Sequence, residues 1–205
     1  RWTESLTGTP EFRLLAPDHR RYWQLIAAEL QRYGANTLAS LVRLGQGVTY
    51  REILVDVCDK LDVNYNQKST TETIELALLM KVLEKSLDQM SPEELAAFSH
   101  NMHLDLTNPT PQLILIAVQA AIRTSSLAAL ELATMLSASV ITSLGGIATW
   151  GTVVVASRAL SVLAGPLAIA LSSAWMISDI TGPAYRVTIP ACIIVSWLRQ
   201  QHLSR

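Results

Sequence analysis

Apolar residues recur at intervals of three and four along most of this chain, the spacing that lines one face of an α-helix. Trp23, Ile26, Leu30 and Tyr33 form one such stripe. Pro17 and Asp18 open it and Gly34 stands where a left-handed residue would stop it, so the pattern predicts a helix from Asp18 to Tyr33. Asn36 caps a short helix ending at Gly45-Gln46-Gly47, and Thr49-Tyr50-Arg51-Glu52 has the form of a capping box, with Ile53, Leu54, Val57 and Leu61 as the apolar face behind it. The box recurs at Ser69-Thr70-Thr71-Glu72 and at Ser91-Pro92-Glu93-Glu94, predicting helices over 70–89 and 92–103.

Asn108-Pro109-Thr110-Pro111 cannot continue a helix and is read as the linker between an acidic amphipathic module, 1–107, and an apolar module, 108–205. Beyond it the pattern predicts one long helix from Gln112 to about Ser143, a second from Ile147 to Ala164, a third from Leu167 to Ser178 and a last from about Pro190 to His202. Gly145-Gly146 and Gly165-Pro166 mark the breaks, and the β-branched Tyr185-Arg186-Val187-Thr188-Ile189 is read as a short extended segment. The expected fold is all-α, a multi-helix bundle whose C-terminal part holds a central or membrane-competent apolar hairpin.

Charge sharpens this picture. Between Glu131 and Arg199 only Arg158, Asp179 and Arg186 are charged, and the uncharged runs Leu132 to Ser157 and Ala159 to Ser178 reach the roughly 20 residues that cross a bilayer's hydrocarbon core. Small residues at four-residue steps, Ala138, Thr142 and Gly146, allow close helix approach in a membrane or in a core. Two readings therefore stand: an insertion unit with Arg158 at its tip, or a buried hairpin wrapped by the amphipathic helices. Gly145, Gly146, Trp150, Arg158, Gly165, Pro166 and Trp175 are the candidate membrane-engaging residues.

Residues 1–131 carry 12 Lys/Arg against 16 Asp/Glu, and 132–205 carry four against one. No basic stripe with interleaved aromatics appears, which argues against a nucleic-acid partner. Cys58 and Cys192, far apart in apolar contexts, read as buried free thiols. His100 and His103, with Asp105 following, make at most half of a metal site, and helix-end solvation explains them as well. Glu93 and Glu94 suit the positive end of a helix, Gly45-Gln46-Gly47 lacks the other parts of a phosphate loop, and no serine sits in a nucleophile elbow. The expectation is thus no enzyme, no cofactor and no metal. Asp18-His19-Arg20-Arg21 places cations where the helix dipole disfavours them, which calls either for carboxylates elsewhere in the fold or for an acidic partner. Asp179 and Arg186 are expected to pair.

Three stretches, 18–31 (Asp18-His19-Arg20-Arg21-Tyr22-Trp23 onward), Tyr50-Arg51-Glu52-Ile53-Leu54 with Asp56-Val57, and Ala184-Tyr185-Arg186-Val187-Thr188-Ile189-Pro190-Ala191, resemble the YaaW-like family of uncharacterised bacterial proteins. The resemblance spans nearly the whole chain. It implies a further short helical segment ahead of Arg1, and a label sometimes given to the family, ubiquinol-cytochrome c chaperone-like, implies help in assembling a respiratory membrane complex. It carries no catalytic residues over; His19, Arg20, Arg21, Trp23, Tyr185, Arg186 and Pro190 are motif positions of unknown role.

The function these readings favour is a non-enzymatic protein of the bacterial cytoplasm, associated with the inner membrane, whose helical module holds or regulates a pore-forming-like apolar hairpin, Leu132 to Ser178. The alternative is a chaperone-like or scaffold protein that binds an apolar helix of a partner. The expected partner is membrane lipid or such a helix, and an oligomer is compatible with both.

Overall fold

The computed structural model describes residues 5–34, 48–104, 106–143, 163, 165–170 and 185–204. Helices α1 (Pro10–Leu15), α2 (Trp23–Gly34), α3 (Tyr50–Lys60), α4 (Thr71–Leu87), α5 (Pro92–Asn101), α6 (Pro111–Thr124), α7 (Ser126–Ser143) and α8 (Tyr185–Leu203) follow one another, and the described residues hold no strand. The all-α expectation holds. Of the predicted capping boxes, those at Thr49/Glu52 and Ser91/Glu94 close in both directions, with Thr49 N donating to Glu52 Oε2 at 2.7 Å and Ser91 N to Glu94 Oε2 at 2.8 Å. At α4 the cap is Thr70, whose hydroxyl accepts from Thr73 N at 3.3 Å, which puts Glu72 at the second helical position, beside Thr70 but outside the box.

Several boundaries differ from the pattern's prediction, each for a local reason. The segment from Asp18 begins as a 3-10 turn, His19–Tyr22, before α2 starts at Trp23. Gly34 is the last helical residue of α2 and supplies no left-handed stop; a Cβ there would lie 2.5 Å from Ile53 Cγ1 and 3.2 Å from Val48 Cγ2, so its bare backbone makes room for α3. Left-handed stops occur instead at Asp62 (φ 56°) after α3 and His103 (φ 51°) after α5, where Val63 N donates to Cys58 O and Leu104 N to Ser99 O, satisfying carbonyls the helix end leaves open.

The long helix predicted over Gln112–Ser143 is two. Thr124 Oγ1 donates back to Ala121 O at 3.0 Å, Ser125 is extended (φ −148°, ψ 125°), and its hydroxyl accepts from Leu127 N at 3.2 Å. Three hydroxyl residues in a row thus offer the backbone partners that compete with helix continuation. In the other direction, the segment read as extended, Tyr185–Ile189, is the first turn and a half of α8, which runs on through Pro190. The helix loses the bond that Pro190 has no N–H to make, but Thr188, Ile189, Pro190, Cys192, Ile193, Ser196, Trp197 and Gln200 are all buried, and burial along such a face outweighs a weak local propensity. Residues 165–170 and Leu163 are helical, so no break stands between Gly165 and Pro166. The predicted helix after Asn36 and most of the second and third apolar helices lie outside the described residues.

Helix α8 packs on α7 most extensively, and also on α4, α3 and α2; α4 packs on α3, α6 and α7. One core results, and it draws on both sides of the Asn108–Pro111 segment: Leu54, Val57, Ile74, Leu78, Phe98, Ile114, Leu132, Leu136 and Ile193 are buried together. From Leu132 on, helix α7 carries no charge and sits inside it, with Leu132, Ala133, Leu136, Ser139 and Val140 fully enclosed.

Candidate functional site

Helix α4 has Ile74, Leu78, Leu79 and Val82 on its inward face, and Glu75 lies among them with its side chain wholly out of water. A buried carboxylate requires partners, and two come from distant elements. Tyr50 of α3 donates its hydroxyl to Glu75 Oε1 at 2.8 Å, and Arg199 of α8 donates Nε to Glu75 Oε2 at 2.7 Å while its Nη1 reaches Glu72 Oε1 at 3.4 Å. Burial raises the Glu75 carboxyl above its usual range against the pull of Tyr50 and Arg199. Burial likewise pushes Tyr50 up, and the Arg199 guanidinium is held charged chiefly by Glu75, against its own desolvation. The arrangement ties the C-terminal helix to α3 and α4 by a charged clasp. A second tie lies at the other end of α8, where Lys60 Nζ stands 5.4 Å from the centre of the half-buried Tyr185 ring.

The thiols flank this region. Cys58 and Cys192 are buried and unpaired, and burial raises both, Cys58 to about 12. Neither has the lowered pKa of a nucleophile.

Open space occurs between α4 and α6, in a groove of about 570 Å³ floored by Val63, Leu76, Ala77, Met80, Leu115 and Ile122 and edged by Asp62, Lys81, Glu84 and Arg123. Its lip carries Ile116, 62 % exposed. An apolar floor with a mixed charged rim is the form that receives an amphipathic helix.

A protein of Helicobacter pylori (strain J99) named UPF0174 protein is 42% identical over 202 residues, which are 97% of this chain and 79% of the relative. The chain belongs to the UPF0174 family. A second UPF0174 protein of the same strain is 35% identical with 97% of each chain covered, and UPF0174 protein YaaW of Escherichia coli (strain K12) is 31% identical over 96% of this chain and 76% of its own length. The YaaW-like resemblance is thereby confirmed. No protein-family model matches the chain, and no solved structure does.

Within this UPF0174 chain the motif positions separate. Tyr185 and Pro190 serve α8, the first as an anchor on α3 and the second as buried filling. Arg186 is exposed, and its expected partner Asp179 lies outside the described residues. His19, Arg20, Arg21 and Trp23 are all exposed; neither arginine meets a carboxylate among the described residues, so the expected pairing within the fold is absent there. His100 and His103 are exposed and no longer share a helix turn, because His103 is left-handed; among the described residues no three metal-binding side chains gather. Asp105 lies outside them.

Of the membrane-engaging candidates, Gly145, Gly146, Trp150, Arg158 and Trp175 lie outside the described residues, Gly165 is exposed and Pro166 buried. Among the described residues no helix is long and apolar enough to cross a membrane. The clasp escapes local sequence patterns because Glu75 and Arg199 are 124 positions apart. Its signal was a lone acid on an apolar face: Glu75 stands three, four and seven residues before Leu78, Leu79 and Val82.

Proposed function

We propose that this UPF0174 chain is a non-enzymatic helical protein of the bacterial cytoplasm that engages the inner membrane through Leu132 to Ser178, a tract whose first portion, the C-terminal two thirds of α7, is enclosed by the neighbouring helices. The observation that carries this reading is α7: the first portion of the tract is uncharged and mostly apolar, and is wrapped by α8, α6 and α4. Such a stretch belongs in a core or in lipid, and α8, which covers α7, is secured to the acidic helices by the Glu75–Arg199 clasp. The test is liposome flotation of the full chain combined with dye release at neutral and acidic pH. Flotation with leakage is expected; a chain that stays in the aqueous phase at both would refute the reading.

The groove between α4 and α6 favours a second reading, a scaffold that holds an apolar helix of a protein partner, as in respiratory-complex assembly. Its sign is binding of an amphipathic model helix that is abolished by Ile116→Glu and indifferent to lipid.

A further inference from the structure

Helix α2 is sorted against expectation. It turns Glu29 inward, 8 % exposed, with both carboxylate oxygens accepting from Ser5 at 3.0 Å and Arg32 alongside. Outward it turns Trp23, 59 % exposed, and Ile26, 38 % exposed. These two, with the exposed Ala27, lie at positions i, i+3 and i+4 and share one face. The 3-10 turn just before them presents Arg20 and Arg21, and α1, held against that turn by the Phe12 and Tyr22 rings at 5.7 Å, presents Arg13; all three guanidinium groups are exposed and unpaired among the described residues.

This end of the molecule also differs in charge from its neighbour. Residues 5–34 hold four arginines and three acids; setting aside the Arg32–Glu29 pair leaves Arg13, Arg20 and Arg21 against Glu11 and Asp18. Residues 48–104 hold five cations and ten acids.

We propose that the Arg20-Arg21 turn and the Trp23–Ile26 face of α2 form a docking surface for an anionic lipid bilayer. Tryptophan settles at headgroup level, and arginine forks match lipid phosphates in two hydrogen bonds each. The surface is a helix flank with exposed Trp23 and Ile26 beside exposed Arg13, Arg20 and Arg21, an apolar patch edged by cations, which is the combination that meets an anionic bilayer. The inference deepens the membrane reading by naming the lipid charge and the element that meets it first.

The experiment measures partitioning of the full chain onto phosphatidylcholine vesicles with and without about 30 mol% phosphatidylglycerol, for the unaltered chain, Arg20→Gln/Arg21→Gln and Trp23→Ala. The anionic vesicles are expected to bind the unaltered chain more tightly and in a salt-sensitive way. The double arginine variant should bind them about thirtyfold more weakly, with its thermal midpoint unchanged because both side chains are exposed. Equal binding by variant and unaltered chain overturns the docking surface and leaves the membrane reading standing; no binding of the unaltered chain to either vesicle overturns both. Competition by polyglutamate as effective as that by anionic vesicles overturns the proposal in favour of an acidic protein partner.

Discussion

Replacing Arg199 by methionine keeps most of the side chain's bulk on α8 but leaves Glu75 as a buried carboxylate with Tyr50 as its remaining donor. Removing one partner of a buried ion pair costs about 3–5 kcal/mol. Arg199 retains 32 % of its side-chain surface and the Tyr50 bond survives, so the lower end applies, about 3 kcal/mol. In a chain of this size each kcal/mol moves the thermal midpoint by roughly 2–4 °C, so Arg199→Met should melt about 6–12 °C lower. Adding Glu75→Gln removes the stranded charge while keeping an acceptor for Tyr50, and the double variant should recover most of that loss. The assay is differential scanning calorimetry of the four proteins of this cycle. A drop below about 3 °C for the single change, or a double variant as unstable as the two losses added, would refute the clasp as the tie that holds α8.

The same carboxylate fixes a pH dependence. Because burial raises the Glu75 pKa, the folded chain binds this proton more tightly than the unfolded one. Its contribution to stability is therefore greatest at low pH and declines as pH climbs from the ordinary carboxylate range through the raised value, so Glu75→Gln should gain on the unaltered chain across that window; a difference that moves the other way contradicts the burial. Gly34→Ala should cost about 1–3 kcal/mol in chemical denaturation, because Ile53, 1 % exposed, has no free space into which to retreat, and an unchanged midpoint would remove the close approach of α2 to α3. Ser139 Oγ is buried and finds no hydrogen-bond partner among the described residues, so Ser139→Ala should be neutral or stabilising by up to about 1 kcal/mol; clear destabilisation would mean the hydroxyl is satisfied. Cys58 and Cys192 should react with a thiol reagent only on unfolding, and labelling of the native chain would contradict their burial.

Helix starts were legible because caps are local. Thr49 with Glu52 and Ser91 with Glu94 act within one turn, and the folded chain uses each as a start. Helix ends and interruptions were less so. Asp62 and His103 take the left-handed conformation without being glycine, and Gly34, read as a stop, is placed by the side chain it must admit. Pro190 and its β-branched neighbours argue locally against a helix that the packing of α8 on α7, α4, α3 and α2 sustains. The stripe of α2 predicts a core face, yet Trp23 and Ile26 face solvent, since periodicity identifies a face and not what covers it. The Glu75–Arg199 contact, between residues on opposite sides of the Asn108–Pro111 segment, is set by the tertiary fold alone.

The central claim, that the apolar tract beginning with the buried α7 passes to a membrane, is tested most directly by photolabelling from within the bilayer. A lipid-soluble carbene precursor is loaded into vesicles, the full chain is added and illuminated, and the labelled peptides are identified by mass spectrometry. The account predicts label in Leu132 to Ser178, α7 included, appearing only when vesicles are present. Label confined to the α2 face, with α7 untouched, would contradict it and leave a peripheral protein whose apolar helix remains in its core.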